Sequence, residues 1–170
     1  PTMGTDVFSG ANSNLLIYFP SGASRFTFPT WQGYPTVAVV NADDLQWTET
    51  DTSVTITGYS GAGGAVAIPS QINGKAVTQI GSMAFQNRPD ITSIVLPSTL
   101  TVIGPDAFSG CTGISGKLVL PDGLLTINGR AFQGCTGLTG DVVIPGTVTA
   151  IRNRAFYGCS GIAGVTFLGD

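Results

Sequence analysis

The chain has 170 residues, a formal net charge of −3 and only 10% charged residues, against 42% hydrophobic residues, 24 glycines and 10 prolines. That composition excludes a disordered chain, because there is ample apolar surface to bury. It also excludes long helices, because good helix formers are scarce while Val, Ile, Thr, Gly and Pro abound. Seven scattered basic residues make no footprint for nucleic acid, histidine is absent, and no apolar run nears the roughly 18 residues that cross a bilayer.

Mostly β structure and turns are expected. It opens PTMGTDVFSG, with neither an initiating Met nor a signal-peptide pattern, as an excised or processed piece would. Residues 6–23, DVFSGANSNLLIYFPSGA, are spelled like a worn copy of a unit that recurs later. Phe8 takes a phenylalanine place, Ala11 a cysteine place, and LLIYFP reads as a strand closed by proline. Residues 24–40 then bring Phe28, Trp31 and Tyr34 close in sequence, as a cover over that rung. Asn41–Asp44 is the expected junction. LQWTETDTSVTI (45–56) alternates Leu45, Trp47 and Glu49, turns at Asp51–Ser53 and resumes with Val54 and Ile56, which predicts a capping hairpin. The expected organisation is therefore 1–40 as the end of one repeat array with its aromatic cap, 41–58 as linker and hairpin, and 59–170 as a second array of about four turns.

The repeat itself occupies the rest of the chain. IVLPSTLTVIGPDAFSGCTGISGK (94–117), LVLPDGLLTINGRAFQGCTGLTGD (118–141) and VVIPGTVTAIRNRAFYGCSGIAGV (142–165) step by 24 residues. A looser copy covers 66–93, with about five extra residues between Pro69 and Phe85. Units this short cannot bury an apolar face alone, so they stack as a solenoid and share one. Each opens with a strand closed by proline. Alternation sends Val66/Ile68, Ile94/Leu96, Leu118/Leu120 and Val142/Ile144 inward. Ile80, Ile103, Ile127 and Ile151 form a second anchor, and Phe85, Phe108, Phe132 and Phe156 a third, one rung per turn. Gly110, Gly134 and Gly158 allow a sharp return of the chain through positive φ. The last copy restarts as VTFLGD, and its rung at Phe167 is expected to be covered by further chain or by a neighbour.

Cys111, Cys135 and Cys159 hold the same place in successive turns, and Arg88 replaces them in the loose copy. Three readings stand: free thiols filling a tight turn, a disulfide between adjacent turns with one thiol left over, or a metal site. The first is favoured, since no His or Asp shares the repeat position. No cofactor is implied. Without histidine no nucleophile–base pair or metal constellation can be assembled, so an enzyme is not expected.

The units LPSTLTVIGPDAFSGC, LPDGLLTINGRAFQGC and IPGTVTAIRNRAFYGC resemble the BspA-type leucine-rich repeats of bacterial surface proteins, over about residues 53–170. The departures are local: the Ile-Gly pairs at 80–81 and 103–104 become Ile127-Asn128 and Ile151-Arg152. The resemblance implies a mostly β, right-handed leucine-rich-repeat solenoid with a parallel sheet on its concave side and short 3-10 or helical turns outside. It implies secretion or display at the cell surface, and a non-enzymatic role in adhesion or protein binding. It brings no catalytic residues.

Candidate sites follow from the outward positions of the strands. Ala67, Val95, Val119, Val143 and Thr166 form an apolar row, flanked by Ser93, Lys117 and Asp141, where Lys117 and Asp141 would be cross-strand neighbours. Val95, Lys117, Val119, Asp141 and Val143 are the expected contacts for a protein ligand of a host or its extracellular matrix. The alternative is stacking of a glycan on Trp31 and Tyr34. Asp106, Arg130 and Arg154 make a further column, with Asp106 expected to pair with Arg130.

Overall fold

The computed structural model describes residues 30–31, 34–35 and 44–169. The expected rung at 6–23, with Phe8 and Ala11, lies outside the described residues, as do Phe28 and residues 41–43 of the junction. Two short strands come first, β1 (Thr30–Trp31) antiparallel to β2 (Tyr34–Pro35). Then follow β3 (Leu45–Glu49), β4 (Ser53–Tyr59), β5 (Gly64–Ala67), β6 (Gln71–Ile72) and β7 (Lys75–Ile80). The later turns contribute β8 (Ile91–Val95), β9 (Val102–Ile103), β10 (Thr126–Ile127), β11 (Gly140–Ile144), β12 (Ala150–Ile151) and β13 (Ile162–Phe167).

The hairpin lies where alternation places it. β3 pairs antiparallel with β4, Trp47 opposite Ile56 and Glu49 opposite Val54, and Leu45, Val54 and Ile56 are buried. The free edge of β4 starts a parallel ladder that runs through β7, β9, β10 and β12. Five isoleucines stand in register along it: Ile56, Ile80, Ile103, Ile127 and Ile151. The extra residues of the loose copy also have a place. They form β6, which folds back on β7 through Asn73-Gly74, both at positive φ as a tight hairpin turn needs.

Each turn then makes a short hydrogen-bonded corner that carries Ala-Phe. The corner starts on a residue in the left-handed region, Met83, Asp106, Arg130 or Arg154, at φ 55–58°. It ends on a second, Asn87, Gly110, Gly134 or Gly158. Backbones of adjacent corners bond directly: Phe85 N–H donates to Ala107 O at 2.8 Å, Phe108 N–H to Ala131 O at 2.7 Å and Phe132 N–H to Ala155 O at 2.8 Å. That registry stacks the rings, with centroids 5.0, 5.2 and 5.3 Å apart from Phe85 to Phe156 and planes within 14°. Tyr59 extends the column at 5.5 Å from Phe85. Phe85, Phe108 and Phe132 are fully buried, each worth roughly 1.5–3 kcal/mol on burial. The molecule is thus a mostly β solenoid whose turns share one interior, with no α-helix among the described residues.

After the corner the turns approach most closely. A Cβ on Gly137 would lie 2.5 Å from Ile114 O, and Gly113 and Gly161 are equally confined. The residue that follows each of these glycines, Ile114, Leu138 and Ile162, builds one more apolar column together with Ile91.

The proline-closed segments put the expected side chains inside: Val66, Ile68, Leu96, Leu118, Leu120, Val142 and Ile144 are buried, and Ile94 is half-buried against them. Their parallel pairing, however, comes in two pieces, β5 with β8 and β11 with β13. Residues 117–120 between them keep the in–out alternation, but no backbone hydrogen bond reaches their N–H or C=O groups among the described residues. The nearest contact is an isolated bridge at Gly116 and Leu138.

Candidate interaction face

The outward positions of the proline-closed segments do not form one even row. Val119 stands 73% exposed, Val95 and Val143 are half-buried, and Thr166 is exposed. Ala67 is buried, so the expected row begins only at Val95. Lys117 and Asp141 are both exposed, but the expected pair does not form: the ion pairs among the described residues are Lys75–Glu49, Arg88–Asp90 and Arg130–Asp106. The reason lies in β13. Gly164 has no side chain, and the Asp141 carboxylate occupies that space, where a Cβ on Gly164 would be 2.9 Å from its Oδ1. Asp141 therefore leans away from Lys117.

Around Val119 the face is hollowed. A shallow groove of about 240 Å³ runs past Lys117, Val119, Asp122, Val143, Pro145 and Leu168. It is lined by segment 117–120 on one turn, by Val143 and Pro145 on the next and by Leu168 on the last. Sequence spacing does not mark it, because Leu118-Val119-Leu120-Pro121 is spelled like its neighbours.

For the alternative platform, Trp31 lies opposite Tyr34 across β1 and β2. Their side chains, and Phe28, lie outside the described residues, so no geometry supports stacking on a sugar.

The cysteines settle into the first of the three readings. All three are free and buried. Each thiol donates to the carbonyl of the phenylalanine one turn back: Cys111 Sγ to Phe85 O at 2.8 Å, Cys135 to Phe108 O at 3.1 Å and Cys159 to Phe132 O at 3.0 Å. Burial pushes the Cys111 thiol up to about 11 and raises Cys135 and Cys159 as well, so none is a ready thiolate at neutral pH. Arg88 does the same work by other means. Its Nη1 donates to Tyr59 O at 2.7 Å, and Tyr59 holds the phenylalanine place of the turn before. The rest of the guanidinium bonds Asp90 and lies 4.8 Å above the Tyr59 ring. The expected pair of the outer column also forms. Arg130 donates twice to Asp106, at 2.8 and 2.7 Å, and holds that carboxyl below its ordinary value. Among the described residues no three of His, Cys, Asp and Glu gather as a metal site would need.

Comparison with known proteins agrees with this geometry. The description "BspA type Leucine rich repeat region" matches residues 70–169, in six copies. The chain belongs to the BspA-type leucine-rich-repeat family. A Treponema pallidum leucine-rich-repeat protein is similar in structure, with 34% identity and a TM-score of 0.64; the match covers 73% of this chain and 69% of that one. A leucine-rich-repeat protein from Bacteroides capillosus matches at 29% identity and a TM-score of 0.64, over 74% of this chain and 95% of that one. One from Bacteroides ovatus matches at 26% and 0.50, where this chain spans 40% of its length. A search of curated proteins found no match. In this BspA-type chain no helix among the described residues is long and apolar enough to cross a membrane.

Proposed function

We infer that this chain is a non-enzymatic protein-binding module of a secreted or surface-displayed bacterial protein, and that it engages a host or extracellular-matrix protein through the face built on Val95, Lys117, Val119, Asp141 and Val143. One observation carries the reading: a large apolar side chain, Val119, stands 73% exposed beside a groove, where an isolated solenoid would gain by keeping it covered or polar. Family membership supports it, because stacked repeats expose extended faces of this kind. The corners also expose Met83 and Tyr157, but singly and on different turns, while their cysteines are buried and protonated and Asp106 is engaged by Arg130.

The test is binding to an immobilised panel of extracellular-matrix proteins, native chain against Val119→Glu/Val143→Glu. Val119 is exposed and Val143 half-buried, both on the outward side, so the variant keeps a cooperative melting curve and loses at least about tenfold in affinity for any panel member that the native chain holds, which is roughly 1.4 kcal/mol. Equal binding by the two proteins would remove this face from the account.

A further inference from the structure

The chain spells Asn-Gly twice, at Asn73-Gly74 and at Asn128-Gly129, and the fold gives the two dipeptides opposite surroundings. Asn73-Gly74 is the tip of the turn between β6 and β7, exposed at both residues, with φ 53° and 76°. The Gly74 N–H makes no hydrogen bond among the described residues, and a Cβ built on Gly74 would meet nothing within 4 Å. Asn128-Gly129 is half-buried in the stack. The Asn128 N–H and its side-chain amide both donate to Ile103 O, at 2.9 and 3.0 Å, and Gly129 O accepts from the Asp106 N–H. A Cβ on Gly129 would lie 3.3 Å from Asn153 O of the next turn. The exposed tip also borders the capping hairpin. Lys75 Nζ stands 3.1 Å from Glu49 Oε1, and Lys75, with the Asn73 amide as a lesser contributor, holds the Glu49 carboxyl below its ordinary value.

We propose that Asn73 is a site of spontaneous covalent modification, a deamidation that sets a new carboxylate beside Glu49 and loosens the β6–β7 turn at the edge of the cap. Gly74 leaves its own nitrogen unshielded, because no Cβ stands next to it. That nitrogen bonds the Asn73 side-chain carbonyl carbon. The amide C–N bond breaks, and the –NH2 group leaves as ammonia, taking the proton that the Gly74 nitrogen gives up. The cyclic imide then takes up water and opens at either carbonyl, to aspartate or to isoaspartate. Water is the only co-reactant. Either product competes with Glu49 for Lys75 and repels it. Isoaspartate also adds a methylene to the main chain of a tight turn whose two residues both hold positive φ, so the tip loses its geometry. Asn128 is protected while the chain is folded, because its amide must first leave Ile103 O and the turn must open locally.

The test follows both sites by mass spectrometry of tryptic peptides while the native chain ages in mildly alkaline buffer. Asn73 should deamidate at least about tenfold faster than Asn128, the factor set by breaking one net hydrogen bond at Asn128. In the chain unfolded by urea the two sites should react at similar rates. Equal rates in the folded chain, faster loss at Asn128, no reaction at Asn73, or a preference for Asn73 that persists unchanged in urea would each overturn the proposal. The aged form, separated by anion exchange, should exchange its amide hydrogens faster than the native form over residues 71–76 and no faster at the corners around Phe108 and Phe132. Unchanged exchange over 71–76 would overturn the loosening of the turn.

Discussion

Single residues in this chain are chosen for their place in a stack more than for their own chemistry. The left-handed position that opens each corner shows it. Met83, Asp106, Arg130 and Arg154 all adopt positive φ, a conformation that costs an ordinary side chain about 1 kcal/mol, so local preference alone would not select them. What they gain lies across the turns, where Arg130 reaches back to Asp106 with two hydrogen bonds. That pair carries a pH signature. The Asp106 carboxyl titrates lower when folded than when unfolded, because the Arg130 guanidinium hydrogen-bonds its ionised form. Its contribution is therefore complete above an unfolded value of about 3.9 and is lost as pH falls through the lower folded value. Arg130 is about half exposed, so solvent screening keeps the effect small. Asp106→Asn should lower the urea midpoint slightly at pH 7 and remove part of its decline between pH 4 and pH 2. An acid limb unchanged by the substitution would show that the pair contributes nothing.

At the scale of elements, the corner and the proline-closed segment divide the labour. The corner ladder is continuous and is sealed by the thiol that donates to the preceding Phe carbonyl. Cys135→Ala removes the donor from a buried carbonyl, and a loss of about 1–3 kcal/mol follows in denaturant unfolding. Cys135→Ser, which keeps a donor, should lose less. The thiols also set the alkaline side. Cys111 titrates near 11 when folded and near 8.5 when unfolded, so the protonated thiol favours the folded chain at neutral pH, and that advantage fades as pH rises from about 8.5 towards 11. Equal stability of the Ala and Ser variants would mean that the sulfur only fills space.

These elements were unequally legible in the sequence. The strand prolines, Ile anchors, Phe rungs and corner glycines recur every 24 residues, and the structure places each of them in a column. The column of Ile114, Leu138 and Ile162 was written in the same period, one residue after the glycine that brings the turns together. Tyr59 and Arg88 were hidden, because they fill the Phe and Cys places with different chemistry and answer to each other through space. The open ladder at 117–120 could not be read either. Its residues have the same β-forming character as those of its paired neighbours, so pairing there is decided by the spacing of whole turns and not by local preference. Asp141 turned from Lys117 because of a glycine 23 residues further along the chain, beyond the reach of any local pattern.

The whole molecule is a one-dimensional object. Each turn touches the turn before it and the turn after it, through the Ile ladder, the aromatic column and the corner bonds, and distant turns meet only through those between. Stability should then be a sum of nearest-neighbour terms, and the exposed face around Val119 is free to vary because the interior holds the stack without it. The most direct test is a pair of double-mutant cycles by denaturant unfolding, with Phe→Leu at Phe108 and Phe132 in one and at Phe85 and Phe156 in the other. Touching rungs should show a coupling of about 0.5–1.5 kcal/mol for the stacked pair Phe108/Phe132, and additivity within about 0.5 kcal/mol for Phe85/Phe156, which do not touch. Additivity for Phe108/Phe132, or equal coupling in both cycles, would contradict a column of touching rungs.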